Sequence, residues 1–455
     1  MKQKTVVVTL MLSLLLILAA CGGDVAETPV VEVEAEPAVP ATVPVEATLP
    51  PPVVDEEAEA PADTAEPEVV AEDEVADEGG AESEGETAEP EAAEEVLFPW
   101  PEDRFGYGIQ VHGVATVGDI PGAMNAVANQ LGMDWIKMQI KWSAVHPDQE
   151  TEQWFLYDAV VHEAYNHGLN VMVSVVSSPE WTRAAGGENG PPDDYELYYD
   201  FVEELLTRYE GMIQAVEVWN EQNLQREWAT PQGLSPAAYV EFLSGAHAQI
   251  KEVNPEIIVI SGALAPTGVH DQVIAYDDFI YLDDMLAAGL LDYADCVGAH
   301  HNGYNVGPDV AFDEMAALPE AATAEFRGPF GNPHHSWSFE TTMETYAEKV
   351  QAVDPDMKLC VTEFGWASAG KHGRATEAYE YAKDNTLDEQ ATFIVQAFQQ
   401  MHASGDVWLA FLFNFDYGNK GGEPDVDDNV NYSIVDRQGI PRPAYGALAG
   451  MEKKP

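Results

Sequence analysis

AVEVWNEQNLQREWATPQGLSPAAYVEFLSGAHAQIKEVNPEIIVISG, residues 215–262, decides the fold. It opens on a short apolar run, Ala215 to Trp219, and closes on another, Ile257 to Gly262. Between them Pro236 to Val253 carries apolar residues at three- and four-residue spacing. The outer runs have the length of buried strands and the middle has the period of an amphipathic helix, so the stretch reads as a strand–helix–strand unit. The same rhythm extends in both directions. Further strands are expected near Phe105 to His112, Asp134 to Ile140, Asn170 to Val176, Cys296 to His300, Lys358 to Thr362 and Val407 to Phe413. Helices are expected at Tyr199 to Tyr209, Tyr276 to Ala288, Thr341 to Val353 and Leu387 to Ala403. Eight strands with interleaved helices predict an α/β architecture closed as a (β/α)8 barrel. A doubly wound open sheet would more often show a glycine-rich phosphate turn after its first strand, whereas Gly106-Tyr107-Gly108 lies inside that strand.

Upstream of the barrel, expected to span residues 98–455, the composition changes twice. Lys2 and Lys4 precede an apolar run from Thr5 to Ala20, the pattern of a targeting signal over residues 1–21. Leu18-Ala19-Ala20-Cys21 resembles the lipobox of bacterial lipoproteins, which implies lipidation at Cys21 and an extracytoplasmic body anchored to the membrane through its N-terminal lipid. Residues 22–97 are rich in Glu, Asp, Ala, Pro and Val, and up to Val96 they hold no aromatic residue, Lys or Arg. Such a segment cannot bury a core and repels itself, so it reads as a disordered tether with a reach of roughly 50 Å.

The net charge of −60 is shared between tether and body, and the body alone has 55 acidic against 18 basic residues. A surface of that sign argues against nucleic acid as a partner. Beyond Cys21 the only cysteines are Cys296 and Cys360, both in apolar strand-like segments, and they are expected as two buried thiols. Asp425, Asp427, Asp428 and Asn429 crowd one loop without the spacing of a calcium loop, and no metal or cofactor is expected.

In a barrel of this class the chemistry sits at the carboxyl ends of the strands. Strand four ends Trp219-Asn220-Glu221 and strand seven ends Thr362-Glu363-Phe364-Gly365-Trp366, so two separate strands each close on a carboxylate. Glycoside hydrolysis needs such a pair, one group to protonate the leaving oxygen and the other to attack the anomeric carbon or activate water.

These two motifs look like the acid/base and nucleophile motifs of the clan A retaining glycoside hydrolases, nearest to families 39 and 5. The resemblance implies a carbohydrate substrate, Glu221 as acid/base, Glu363 as nucleophile, and Asn220 on the sugar 2-hydroxyl. It implies that His300 lines the site. The family's His-x-Tyr becomes His300-His301-Asn302-Gly303-Tyr304, leaving open whether Tyr304 or Asn302 meets Glu363. The family 5 pattern has an Arg on strand two near the nucleophile, where this chain has Lys137 and Lys141. Trp142, Trp181, Trp228 and Trp366, with Trp337 as a further candidate, are expected to stack on sugar rings. The leading expectation is a retaining glycosidase acting on extracellular β-linked polysaccharide or oligosaccharide. The alternative is a catalytically silent glycan-binding lipoprotein on the same barrel.

Overall fold

The computed structural model describes residues 97–112, 119–370, 373–417 and 428–454. Eight parallel strands form one sheet: β1 (Gly106–Gln110), β2 (Trp135–Lys141), β3 (Asn170–Val176), β4 (Ala215–Val218), β5 (Ile258–Ser261), β6 (Val297–Gly303), β7 (Leu359–Trp366) and β8 (Val407–Leu412). Their order, β5-β4-β3-β2-β1-β8-β7-β6, is sequential around a barrel with β1 against β8. The strands are buried on both faces, which explains why they read as continuous apolar runs. The expected (β/α)8 barrel is the fold observed.

Local signals set the helix ends. The Ser235 hydroxyl accepts from the Ala238 amide and Pro236 fills the first turn of helix Pro236–Val253. Thr386 and Glu389 form a reciprocal capping box at the start of Leu387–Ser404, and Gly405 ends that helix at φ 75°.

The barrel's weakest seam lies between β5 and β6. It is crossed by the isolated bridges Ile260 to Cys296 and Leu264 to Ala299 and by a few hydrogen bonds, among them Asp295 N donating to Val259 O at 2.8 Å and Gly298 N to Ser261 Oγ at 3.0 Å. Gly298 is required there, since a Cβ at that position would stand 2.0 Å from the Ser261 carbonyl oxygen.

Near the starts of the strands Trp100, Trp135, Met172, Ala215, Ile258 and Phe411 form an apolar cluster that also holds both cysteines. The expectation of two free thiols fails at this point. Cys296 and Cys360 form a disulfide with Cα atoms 5.8 Å apart. Adjacent strands explain the pairing: Gly298 is in register with Cys360, which brings the preceding turn of chain at Cys296 within bridging distance.

The signal, the tether and Cys21 lie outside the described residues, Leu97 excepted. Among the described residues no helix is long and apolar enough to cross a membrane.

Candidate active site

Three strands bring charge into the barrel interior past the apolar cluster. Lys137 on β2 and Glu217 on β4 are fully buried, and an ion in that position is tolerable only with partners. The Lys137 ammonium lies 2.9 Å from Glu363 Oε1 and 3.6 Å from Glu217 Oε2. Glu217 also accepts from the hydroxyls of Ser174 and Thr362 and, at 3.3 Å, from the Ala263 amide. A register shift between Ala299 and His300 sets His300 opposite Glu363 across β6 and β7. Such a bulge re-aims side chains, and here it turns His300 towards both carboxylates of the β4 segment. His300 Nδ1 is 3.3 Å from Glu221 Oε1, and its Nε2 is 3.9 Å from Glu217 Oε1. A continuous polar chain thus runs Glu221, His300, Glu217, Lys137, Glu363.

Glu221 sits on strained backbone. It has φ 46° and Trp219 has φ 77°, left-handed values that cost non-glycine residues of order 1–3 kcal/mol each and cluster at functional sites. The segment is pinned by the Glu221 amide donating to Ala263 O at 2.8 Å. From the other side Arg226 Nη2 reaches Glu221 Oε2 at 2.9 Å, and its Nε lies 3.5 Å from Glu227 Oε1.

Charge balance explains how these groups titrate. Burial pushes the Glu221 carboxyl up, but the His300 hydrogen bond and charge, together with Arg226, pull it down to about 2. Burial opposes charge on His300, yet Glu363, Glu221 and Glu217 outweigh it and raise its pKa. Glu227 shares Arg226 with Glu221, and burial plus repulsion from Glu221 and Glu363 push it up to about 7. Ionised Glu221 is therefore matched, while Glu227 is the carboxyl that holds a proton near neutrality.

A cleft of ≈ 350 Å³ opens at this end of the barrel, lined by Glu221, Arg226, Thr267, His300, Asn302 and Tyr304. A groove of ≈ 600 Å³ beside Arg183 and Tyr195 contains no member of the charged chain.

The structure brings Glu221, Glu363, His300 and Asn220 together. Asn220 is buried and its Oδ1 accepts from Gln139 Nε2 at 3.4 Å. Asn302, not Tyr304, reaches the Glu363 carboxylate, with Nδ2 at 3.5 Å from Oε2. The side-chain alternation of a strand puts Asn302 on the same face as His300. Tyr304 lines the cleft instead and packs edge-on against Trp337.

Three of the tryptophans expected to stack on sugar do not. Trp142 packs against Phe201 and Trp181, Trp228 against Trp219 and Phe242, and Trp366 against Phe339 with its Nε1 donating to Val306 O. All three are buried, and a ring without an exposed face cannot receive a sugar. Trp181 is partly exposed but is tied by Nε1 to His146 O at 3.2 Å. Sequence reading passed over Glu217, Arg226 and Glu227. The signal for Glu217 was present, since a charge between Val216 and Val218 in a buried strand demands an internal cation.

The chain matches solved glycoside hydrolase structures. A family 39 glycoside hydrolase from the gut symbiont Bacteroides cellulosilyticus WH2 superposes with a TM-score of 0.54 at 19% identity, over 78% of this chain and 64% of that one. The β-glycosidase BGL167 gives 0.51 at 15% identity, covering 77% of this chain and 96% of its own. A monomeric β-xylosidase from Caulobacter crescentus CB15 gives 0.51 at 17% identity, over 76% of this chain and 67% of that one. These likenesses show a shared (β/α)8-barrel fold. No protein-family model matches the sequence, and no curated protein is similar to it. The chain spans less than two thirds of the length of the Bacteroides protein.

Proposed function

We propose that this protein is a retaining glycoside hydrolase acting on β-linked oligosaccharide or polysaccharide, with Glu363 as nucleophile and Glu221 as acid/base. The observation that carries the reading is the chain of contacts joining Glu221, which lines the cleft, to Glu363, held by the cleft residue Asn302 and by Lys137. Lys137 and Asn302 hold the Glu363 carboxylate, the form that attacks the anomeric carbon. Attack breaks the glycosidic bond and leaves a glycosyl-Glu363 ester, while Glu221 gives its proton to the departing oxygen. Water, deprotonated by Glu221, then cleaves the ester.

The donor must first be protonated, whereas Arg226 and His300 hold Glu221 ionised. The Arg226 side chain is 69% exposed, so its ion pair is weak enough for an entering sugar to displace. Loss of that cation raises the Glu221 pKa towards the range an acid needs. A second reading, a sugar-binding barrel without turnover, draws on the same low pKa.

Incubation with activated 2-deoxy-2-fluoro-β-glycosides separates the two. The proposal expects covalent labelling of Glu363 alone, turnover abolished in Glu363→Gln, and an alkaline limb of kcat/KM that moves to higher pH in Arg226→Met. Label on another residue removes the nucleophile assignment, and binding without hydrolysis across a panel of β-glycosides favours the silent barrel.

We further propose that the body is extracytoplasmic and lipid-anchored through Cys21. The Cys296–Cys360 disulfide supports this, because such bridges persist in oxidising compartments. Cys21→Ser should release the protein from the membrane fraction or block its processing; unchanged membrane partition would count against the anchor.

A further inference from the structure

A second cluster lies beside the cleft, built from the start of helix Asp278–Ala287 and the long segment after β6. One donor atom each from Asp277, His334 and His335 lies within 4.8 Å of the others. We infer that Asp277, His334 and His335 bind a divalent transition metal, zinc foremost, that ties the segment after β6 to the loop after β5.

The donor set is that of a zinc site with room for a fourth ligand, two imidazoles and a carboxylate. What separates it from a chance surface grouping is the layer behind it. His335 Nε2 lies 3.0 Å from Asp278 Oδ1, and Asp278 is fully buried. Asp278 is itself held by the Tyr346 hydroxyl at 2.8 Å and the Thr267 amide at 2.9 Å. A buried carboxylate gripping one nitrogen of a histidine fixes the ring and its tautomer, and leaves the other nitrogen as a lone-pair donor. Phe279 stacks on His335 with ring centroids 3.6 Å apart, which holds the same orientation.

His334 Nδ1 lies 3.1 Å from Ser336 Oγ and accepts from the Ser336 amide at 3.3 Å, so ligation through Nε2 requires the proton to move to Nδ1, which then donates to the hydroxyl and gives up the amide contact. Asp277 uses Oδ1 to cap the helix through the Ile280 amide at 3.1 Å, leaving its second oxygen.

The location gives the metal a task. Thr267, bonded to Asp278, lines the cleft, and Trp337, two residues past His335, packs on the cleft residue Tyr304 with centroids 4.6 Å apart. An ion at this point would fix the wall of the cleft opposite the charged chain without entering the chemistry.

The test uses the full chain, free of histidine tags, stripped with EDTA and dialysed. Titration with zinc chloride in excess magnesium should show one tight equivalent, and cobalt(II) should give the visible absorption of a four-coordinate site. Affinity should fall at least about tenfold in His334→Ala and in Asp277→Asn, the second of which keeps a helix-capping side chain. Zinc should also slow tryptic cleavage after the exposed Arg327. Each variant's melting temperature in EDTA should match that of the parent, which separates lost ligation from lost folding. Absence of a stoichiometric equivalent, displacement by magnesium, or affinity in either variant equal to the parent's overturns the site.

Discussion

At the amino end of the barrel Trp135, Ala215, Cys296 and Cys360 lie in an apolar cluster closed by a disulfide. A few residues further along the same strands stand Lys137, Glu217, His300 and Glu363, joined by ion pairs and hydrogen bonds. The two ends use the same backbone and opposite chemistry. Apolar burial stabilises at roughly 25 cal/mol per Å², whereas buried ion pairs at best offset their own desolvation. Stability therefore has its source at the apolar end, and the charged end is retained for what it does.

The contrast is sharpest at Lys137. Lys137→Met should cost about 3–5 kcal/mol in urea unfolding, because two buried carboxylates lose their common cation. A loss under 1 kcal/mol would mean that water reaches them. At the other end, Cys296→Ala with Cys360→Ala should cost about 2–4 kcal/mol while the folded protein keeps its activity on β-glycosides. An equal loss of activity in the folded variant would show that the two ends are not independent.

The smallest effect concerns Glu227. Its pKa is raised to about 7 in the fold against about 4.3 unfolded, so the folded state binds the extra proton between those values. The stability linked to it is present below about pH 4.3 and is lost as pH rises through 7. Glu227→Gln should flatten the melting temperature over that window, and an unaltered profile would place the titration on another group.

Most of the barrel was legible because its strands are buried on both faces and its helices on one, so period and run length carry the assignment. The carboxylates at the ends of β4 and β7 were legible for the same reason: each interrupts an apolar run. What the sequence hid was contact across the barrel. Nothing near Cys296 shows that Cys360 lies on the neighbouring strand in register, and Trp142, Trp228 and Trp366 read as site aromatics because strand ends border both the cleft and the helix layer. The choice of Asn302 over Tyr304 depends on strand alternation continuing beyond His300, which becomes visible once β6 is seen to run to Gly303.

The thin seam between β5 and β6 has its own consequence. Glu221 follows β4 and His300 belongs to β6, so the hydrogen bond between the two spans the gap that backbone pairing leaves nearly open. Amide hydrogen exchange should be fastest, among the strands, at Val259, Ser261 and Gly298, whose amides face this seam, since opening there breaks the fewest ladder bonds. A ligand that engages both Glu221 and His300 would act as the missing rung. Its occupancy could then be followed as slowed exchange along a seam it never touches, with no chromogenic substrate.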